Sequence, residues 1–394
     1  MQITIDQFLS LMRDTIEPRR TIVKAMIENY KPDESAIQKL NDISQTLNTI
    51  PIIDNHRVLL IENKQVYTDL GYEVEEIRRD LNFLKHGEEA LFKSFSESNP
   101  RFDLEVKQGV DYLKDHQIDC FISDRDGTVN NYCGRYLSSI QSTYNALFLS
   151  HYAKTVKYPI LLTAAPLENV GLRDISVNPE NLFIYAGSKG RELRDKFGKK
   201  SSLSIPKSKQ RFLDQLNIEL KSILQNPQYK VFGYIGSGLQ LKFGQSTIAR
   251  QDIYSSVSSQ KSSDFKNIIE DIVRKIDPSE NNLIIEDTGM DIEIILTVDG
   301  NSEAKEFDKG DGVKFIAEKL NLLNSSKNIL VCGDTRSDIP MIKTCLSTFP
   351  STKAIFVTED EKLIKEVKGV YSDTLILSTP DTLITTLKET ARGK

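Results

Sequence analysis

Apolar residues recur at three- and four-residue steps over residues 5–30, 34–48 and 66–97, the spacing of helices that bury one face. Leu70, Val74, Ile77, Leu81 and Leu84 form the clearest stripe. Asp33 or Ser35 is placed to cap the second helix, and Thr68 or Asp69 lies near the start of the third. Pro51 and the segment 52–57 break the second helix from the third. The pattern predicts a small helical bundle or hairpin over residues 1–100, with a long, protruding last helix. Stripes of this kind bury against any apolar partner. Two readings therefore stand together: a module for self-association or for a protein partner, or an appendage covering the rest of the chain.

From Phe102 onward the pattern becomes an alternation. Strands are predicted at 119–123, 158–163 and 182–186, with a helix at 136–155. The alternation resumes after residue 309 with a helix at 311–323, a strand at 328–332, a helix at 338–345 and a strand at 353–357. A last strand falls within 370–377, before a closing helix. This predicts an α/β doubly wound parallel sheet, encoded in two parts, 101–198 and 301–394. The insertion between them, 199–300, opens with a polar run, Lys-Lys-Ser-Ser-Leu-Ser-Ile-Pro-Lys-Ser-Lys. It carries helix-like and strand-like stretches at 208–225, 229–235, 238–243, 247–252, 262–275, 282–287 and 291–297. No internal repeat is visible.

Composition narrows the class. At 394 residues the chain is too long for one typical core, so two or three domains are expected. A net charge of −5 gives no support for nucleic-acid binding, which calls for a concentrated basic face. No apolar run approaches the ~20 residues of a membrane helix. No signal-peptide pattern opens the chain. Cys120, Cys133, Cys332 and Cys345 lack zinc-ligand spacing, Cys120 and Cys332 lie in apolar strands and read as buried thiols, and a reducing cytoplasm is the expected location. His56, His86, His116 and His151 are scattered, and no P-loop is present.

The chemistry sits at strand ends. Residues 120–132 read Cys-Phe-Ile-Ser-Asp-Arg-Asp-Gly-Thr-Val-Asn-Asn-Tyr. A strand that delivers Asp124 and Asp126 to a glycine turn places two carboxylates that repel unless a cation lies between them. Such a pair suits a metal-assisted reaction in which one Asp attacks phosphorus and the other moves a proton. A second apolar strand ends in Gly333 and Asp334, with Asp338 four residues on. A third ends at Thr163, and Lys309 opens a helical pattern. Singly, these are ordinary turn, cap or surface residues. Four such segments in this order are specific.

Asp-x-Asp-Gly-Thr, then Thr, then Lys, then Gly-Asp-x-x-x-Asp resembles the four motifs of the haloacid dehalogenase superfamily of phosphotransferases. The resemblance implies that Asp124 is a nucleophile forming an aspartyl-phosphate and that Asp126 is general acid and base. It implies a Mg²⁺ site made from Asp124, the Asp126 carbonyl and Asp334, with Asp338 orienting it. Thr163 and Lys309 would bind the phosphoryl oxygens, and Gly127 would admit close backbone approach. The insertion matches the superfamily's larger α/β cap, which lies over the site and selects substrate.

A narrower likeness covers about residues 119–360. The segments 126–133, 162–167, 187–192, 235–242, 309–313, 332–341 and 354–357 resemble trehalose-6-phosphate phosphatase, in the branch with an extra N-terminal helical domain. The resemblance implies that Gln240, Lys242 and Glu293 grip the sugar, with Arg191 and Glu192 as further candidates at the core–cap junction. Amides, carboxylates and ammonium groups are suitable partners for sugar hydroxyls. Otherwise Gln240, Lys242 and Glu293 are the exposed face of cap strands. Arg125 departs from many members, and its side chain is expected to point away from the metal. The expected partner is a small sugar phosphate. Two alternatives remain: a phosphatase for a sucrose, glucosylglycerol or mannosyl phosphate, or a catalytically silent regulator that binds partners through its N-terminal helices.

Overall fold

The structure is a computed structural model and describes residues 2–54, 56–61, 64–169, 171–297 and 307–393. Four helices dominate the N-terminal region: Ile5–Arg13, Ile16–Ile27, Glu34–Asn48 and Gly71–Ser98. Thr4 caps the first in a capping box, and Asp33 caps the third by accepting from the Ser35 amide. The predicted first helix is two helices. Thr15 ends the first by bonding back to the Met12 carbonyl at 2.6 Å.

The region between the third and fourth helices differs from expectation. Ile52–Ile53, His56–Ile61 and Lys64–Thr68 form a three-stranded antiparallel sheet. Val58 and Leu59 are buried, so this is packed structure and not a simple break. The fourth helix accordingly starts at Gly71, whose amide is held by the Asp69 carboxylate at 2.6 Å. It kinks at Gly87, where φ is 82°.

An eight-stranded sheet forms the core. Its order is Leu375–Leu377, Ser351–Val357, Asn328–Gly333, Cys120–Ser123, Tyr158–Leu162, Ile184–Gly187, Glu192–Arg194 and Lys200–Ser202. The first six are parallel, and Glu192–Arg194 runs antiparallel to both of its neighbours. The chain enters at Cys120–Ser123, fills one side, then returns to the other through Asn328–Gly333. These two neighbours flank the reversal of strand order, where ligands bind beyond the carboxyl ends of the strands. Lys200–Ser202, within the stretch whose pattern suggests the insertion, pairs with this core sheet.

The insertion has its own antiparallel sheet, ordered Leu283–Asp287, Asp291–Leu296, Gln245–Ala249, Leu239–Lys242. Helices Lys207–Ile223 and Ser259–Ile276 bury Leu213, Leu216, Phe265 and Ile269 against Ile248, Ile292 and Ile294 on one face of it. The return to the core near residues 300–301 lies outside the described residues. Among the described residues, no helix is long and apolar enough to cross a membrane.

The helical region and the core share one hydrophobic cluster. Phe8, Leu9, Leu47 and Ile77 pack with Tyr136, Ile140, Ala165 and Ile175. The core helix predicted at 136–155 runs only over Thr143–Ala153, after a short turn at Tyr136–Ser138. Its first amides, of Thr143 and Tyr144, donate to Asp80 Oδ1 at 2.7 and 3.3 Å. Asp80 is itself paired with Arg19 at 2.7 Å, and both side chains are fully buried. The helix therefore takes its cap from the N-terminal region, a partner no local pattern could reveal.

Candidate active site

Two strand ends place the acidic groups. Asp124 follows Cys120–Ser123, Asp334 follows Asn328–Gly333, and these strands are adjacent. Oxygen atoms of Asp124, Asp334 and Asp338 lie within 4.8 Å of one another. Gly127 makes this possible. Its φ is +87°, and a Cβ there would lie 2.1 Å from Asp334 Oδ2. Thr128 Oγ1 donates to Asp334 Oδ1 at 2.8 Å.

Lys309 begins the helix Lys309–Lys319, capped by Asp308. That helix sits close to the core because Gly312 meets the 188–190 turn, where a Cβ would lie 2.1 Å from the Lys189 carbonyl. The ammonium donates to Asp124 Oδ1 at 2.6 Å and to Asp338 Oδ1 at 2.5 Å. The other oxygen of Asp338 accepts from the amides of Asp334 and Thr335 and from Thr335 Oγ1. Both oxygens of Asp338 are thus engaged by Lys309 and the 333–338 turn.

Electrostatics separate these carboxyls. Burial, together with Asp338, pushes the Asp124 carboxyl up to about 6 despite Lys309. Burial, then Asp124 and Asp338, push Asp334 up to about 9. Burial would raise Asp338 too, but Lys309 and the two amides hold it below the ordinary carboxylate value. Three carboxylates facing one ammonium leave negative charge that a divalent cation would balance. The hard oxygen donors of Asp124 and Asp334 fit Mg²⁺.

Asp126 is partly exposed and lines the same cavity, of about 270 Å³, with Asp124, Thr163, Lys309 and Asp334. Its Oδ1 accepts from Ser139 Oγ at 2.8 Å and is ion-paired with Arg125. Arg125 does not line the cavity, but it is not without a role in the site's hydrogen bonding. Arg125 is buried at 2% exposure and also binds Ser139 through its hydroxyl at 3.1 Å and its carbonyl at 2.6 Å. A charge between two acids was the available signal. Ser139 gave none, because it sat in a predicted helix. Thr163 is buried, with its hydroxyl accepting from the Ala165 amide at 3.3 Å.

The cap closes the cavity with a polar sheet face. Gln240 and Lys242 are each only 8% exposed. Gln240 registers with Thr247, and Thr247 with Glu293, so their side chains form a row across three strands. Gln240, Lys242 and Glu293 line the cavity, so they are not a solvent-facing surface. Glu293 accepts from Gln245 Nε2 at 2.7 Å and lies 3.8 Å from the Lys189 ammonium. Burial lowers the Lys242 value, with Glu293 opposing.

Two candidates lie elsewhere. Arg191 is absent from the cavity lining. It stacks 4.8 Å from the Phe307 ring and bonds Gln245 at 3.3 Å, a residue paired with Lys242 on the same face of the cap sheet. Glu192 accepts from the Leu167 amide and Ser188. Sequence reasoning passed over Asp291, two residues before Glu293. It lines the cavity, receives Ser237 Oγ at 2.9 Å, and its Oδ1 is buried without a hydrogen-bond partner. Alternation with Glu293 along one strand face was the signal that could have found it.

Comparisons with known proteins give the family of the chain. Residues 121–383 match the family model for the trehalose-6-phosphate phosphatase C-terminal region, and residues 4–101 match that family's N-terminal helical bundle domain. A trehalose-phosphatase of Brugia malayi is 27% identical over 94% of this chain and 82% of its own length. An alpha,alpha-trehalose-phosphate synthase [UDP-forming] of Aphelenchoides avenae is 31% identical over 92% of this chain. The chain spans about a third of the length of that relative, 33%. The C-terminal domain structure of a C. albicans trehalose-6-phosphate phosphatase aligns with 73% of this chain and 96% of its own, at 14% identity and a TM-score of 0.48.

Proposed function

The chain belongs to the trehalose-6-phosphate phosphatase family, and on that premise we propose that it hydrolyses trehalose 6-phosphate to trehalose and phosphate with Mg²⁺, through an aspartyl-phosphate on Asp124. Asp124 attacks phosphorus, and the bond from phosphorus to the sugar O6 breaks. Asp126 gives its proton to that oxygen as it leaves. Asp126 then takes a proton from water as the water attacks the aspartyl-phosphate, which releases phosphate and restores the Asp124 carboxylate. Lys309 and Thr163 hold the phosphoryl oxygens, and Lys309 offsets the charge that grows in the transition state. Asp124, the Asp126 carbonyl and Asp334 would hold the Mg²⁺, which would neutralise phosphoryl charge. Gln240, Lys242, Glu293 and Asp291 bind sugar hydroxyls. The four free, buried cysteines fit a reducing, cytoplasmic setting.

The observation that carries this reading is the convergence of Asp124, Asp334 and Lys309 directly beneath a buried polar face of the cap sheet. Phosphate release from trehalose 6-phosphate tests it. Release should require Mg²⁺, stop with EDTA, and fall to background in Asp124→Asn. Metal-independent release, or an active Asp124→Asn, would refute the mechanism.

A further inference from the structure

The segment 130–140 follows the nucleophile turn and contains only a single short helical turn, Tyr136–Ser138. Its shape therefore depends on bonds from outside itself. The N-terminal helix Gly71–Ser98 supplies several through its second and third residues. Tyr72 Oη donates to the Ile140 carbonyl at 3.0 Å and accepts from Asn130 Nδ2 at 3.1 Å. Glu73 is 1% exposed. It accepts from Ser138 Oγ at 2.5 Å, faces the Arg135 guanidinium at 3.4 Å and contacts Cys133 Sγ at 3.8 Å.

The next residue, Ser139, is the one that holds the Asp126 carboxylate and two nitrogens of Arg125. One residue thus separates the N-terminal helix's anchor point from the acid–base group. The same segment reaches the cap, with Arg135 Nε donating to the Tyr234 carbonyl and the Tyr136 amide to the Gly236 carbonyl, each at 3.1 Å.

We propose that Tyr72 and Glu73 are positioning residues for Asp126, so that the N-terminal helical domain is a working part of the catalytic site. The inference rests on Asp126 acting as the acid and base of the proposed reaction. This face of the helix is occupied by the core, so it is not the face a protein partner would use.

The test compares two leaving groups. Expulsion of the sugar oxygen needs a proton from Asp126, whereas p-nitrophenol leaves p-nitrophenyl phosphate without one. kcat/KM reports events up to the first phosphoryl transfer, so it isolates the acid role from the later water step. Tyr72→Phe removes one hydroxyl at constant size. Glu73→Gln keeps an acceptor for Ser138 and removes the charge facing Arg135.

In the double variant of the full chain, kcat/KM for trehalose 6-phosphate should fall about tenfold or more relative to that for p-nitrophenyl phosphate, through kcat with KM little changed, as expected for a displaced general acid and not for a loosened cap, which would raise KM. Asp126→Asn should show the same signature more strongly. An unchanged ratio overturns the proposal. So does an equal loss on both substrates, which would mean general support of the fold. Absence of phosphate release by the unmutated protein from either substrate would instead refute the phosphatase reading.

Discussion

Lys309 is the residue on which the site's charge balance turns. Its ammonium bridges Asp124 and Asp338, and all three side chains are nearly inaccessible. Lys309→Met would leave both carboxylates without their cation. Breaking a buried pair in this way costs about 3–5 kcal/mol. The urea midpoint should drop accordingly, and turnover should fall to background. Asp124 and Asp334 give a pH prediction. Their carboxyls, raised to about 6 and about 9, bind protons more tightly in the folded protein than in the unfolded chain. In metal-free protein, stability should therefore decline as pH climbs from about 4, the ordinary carboxylate value, through these two values. Mg²⁺ must displace those protons, so it should raise the melting temperature more at pH 8 than at pH 5. Equal shifts at the two values would contradict the assignment. Asp291, with one buried unpartnered oxygen, should behave differently from Lys309. Asp291→Asn should melt no lower than the wild type, while KM for the sugar phosphate rises about tenfold through loss of a hydroxyl contact.

At the scale of elements, glycines set the approach of strand ends and helices. Gly127→Ala forces a Cβ against the Asp334 carboxylate at a backbone φ of +87°. The variant should lose activity and Mg²⁺ binding together, the latter read by calorimetry. The strands bearing Asp124, Thr163 and Asp334 were legible because they are short, mostly apolar runs, buried but for the first residue of two of them, that stop abruptly at a polar residue. The start of the helix at Thr143 was not, because Asp80, distant in sequence, caps it. The His56–Thr68 hairpin was missed because its strands adjoin a strong helical stripe that was extended backward to residue 66. What Arg125 binds was not legible, because only the folded 130–140 segment brings Ser139 to it.

Across the whole molecule, core and cap meet at one cavity, and the N-terminal helices pack behind it. The core supplies the acids and the lysine, the cap supplies a polar face, and the N-terminal helices share a hydrophobic cluster with the 136–140 segment. Order and spacing of the motifs made the core and cap readable. The joining of the N-terminal helices to the active-site loop depends on long-range contacts of Tyr72, Glu73 and Asp80, which carry no local pattern. Replacement of Gln240, Lys242 and Glu293 by alanine should raise KM for a disaccharide phosphate, while p-nitrophenyl phosphate, with no sugar to grip, should be little affected. The most direct test of the central claim is kcat/KM of the wild-type protein, with Mg²⁺, on trehalose 6-phosphate, sucrose 6-phosphate and glucose 6-phosphate. The account predicts a preference for trehalose 6-phosphate of about a hundredfold or more, the discrimination expected of a site built to hydrogen-bond its substrate. Equal or better turnover of another sugar phosphate, or none of any, would contradict it.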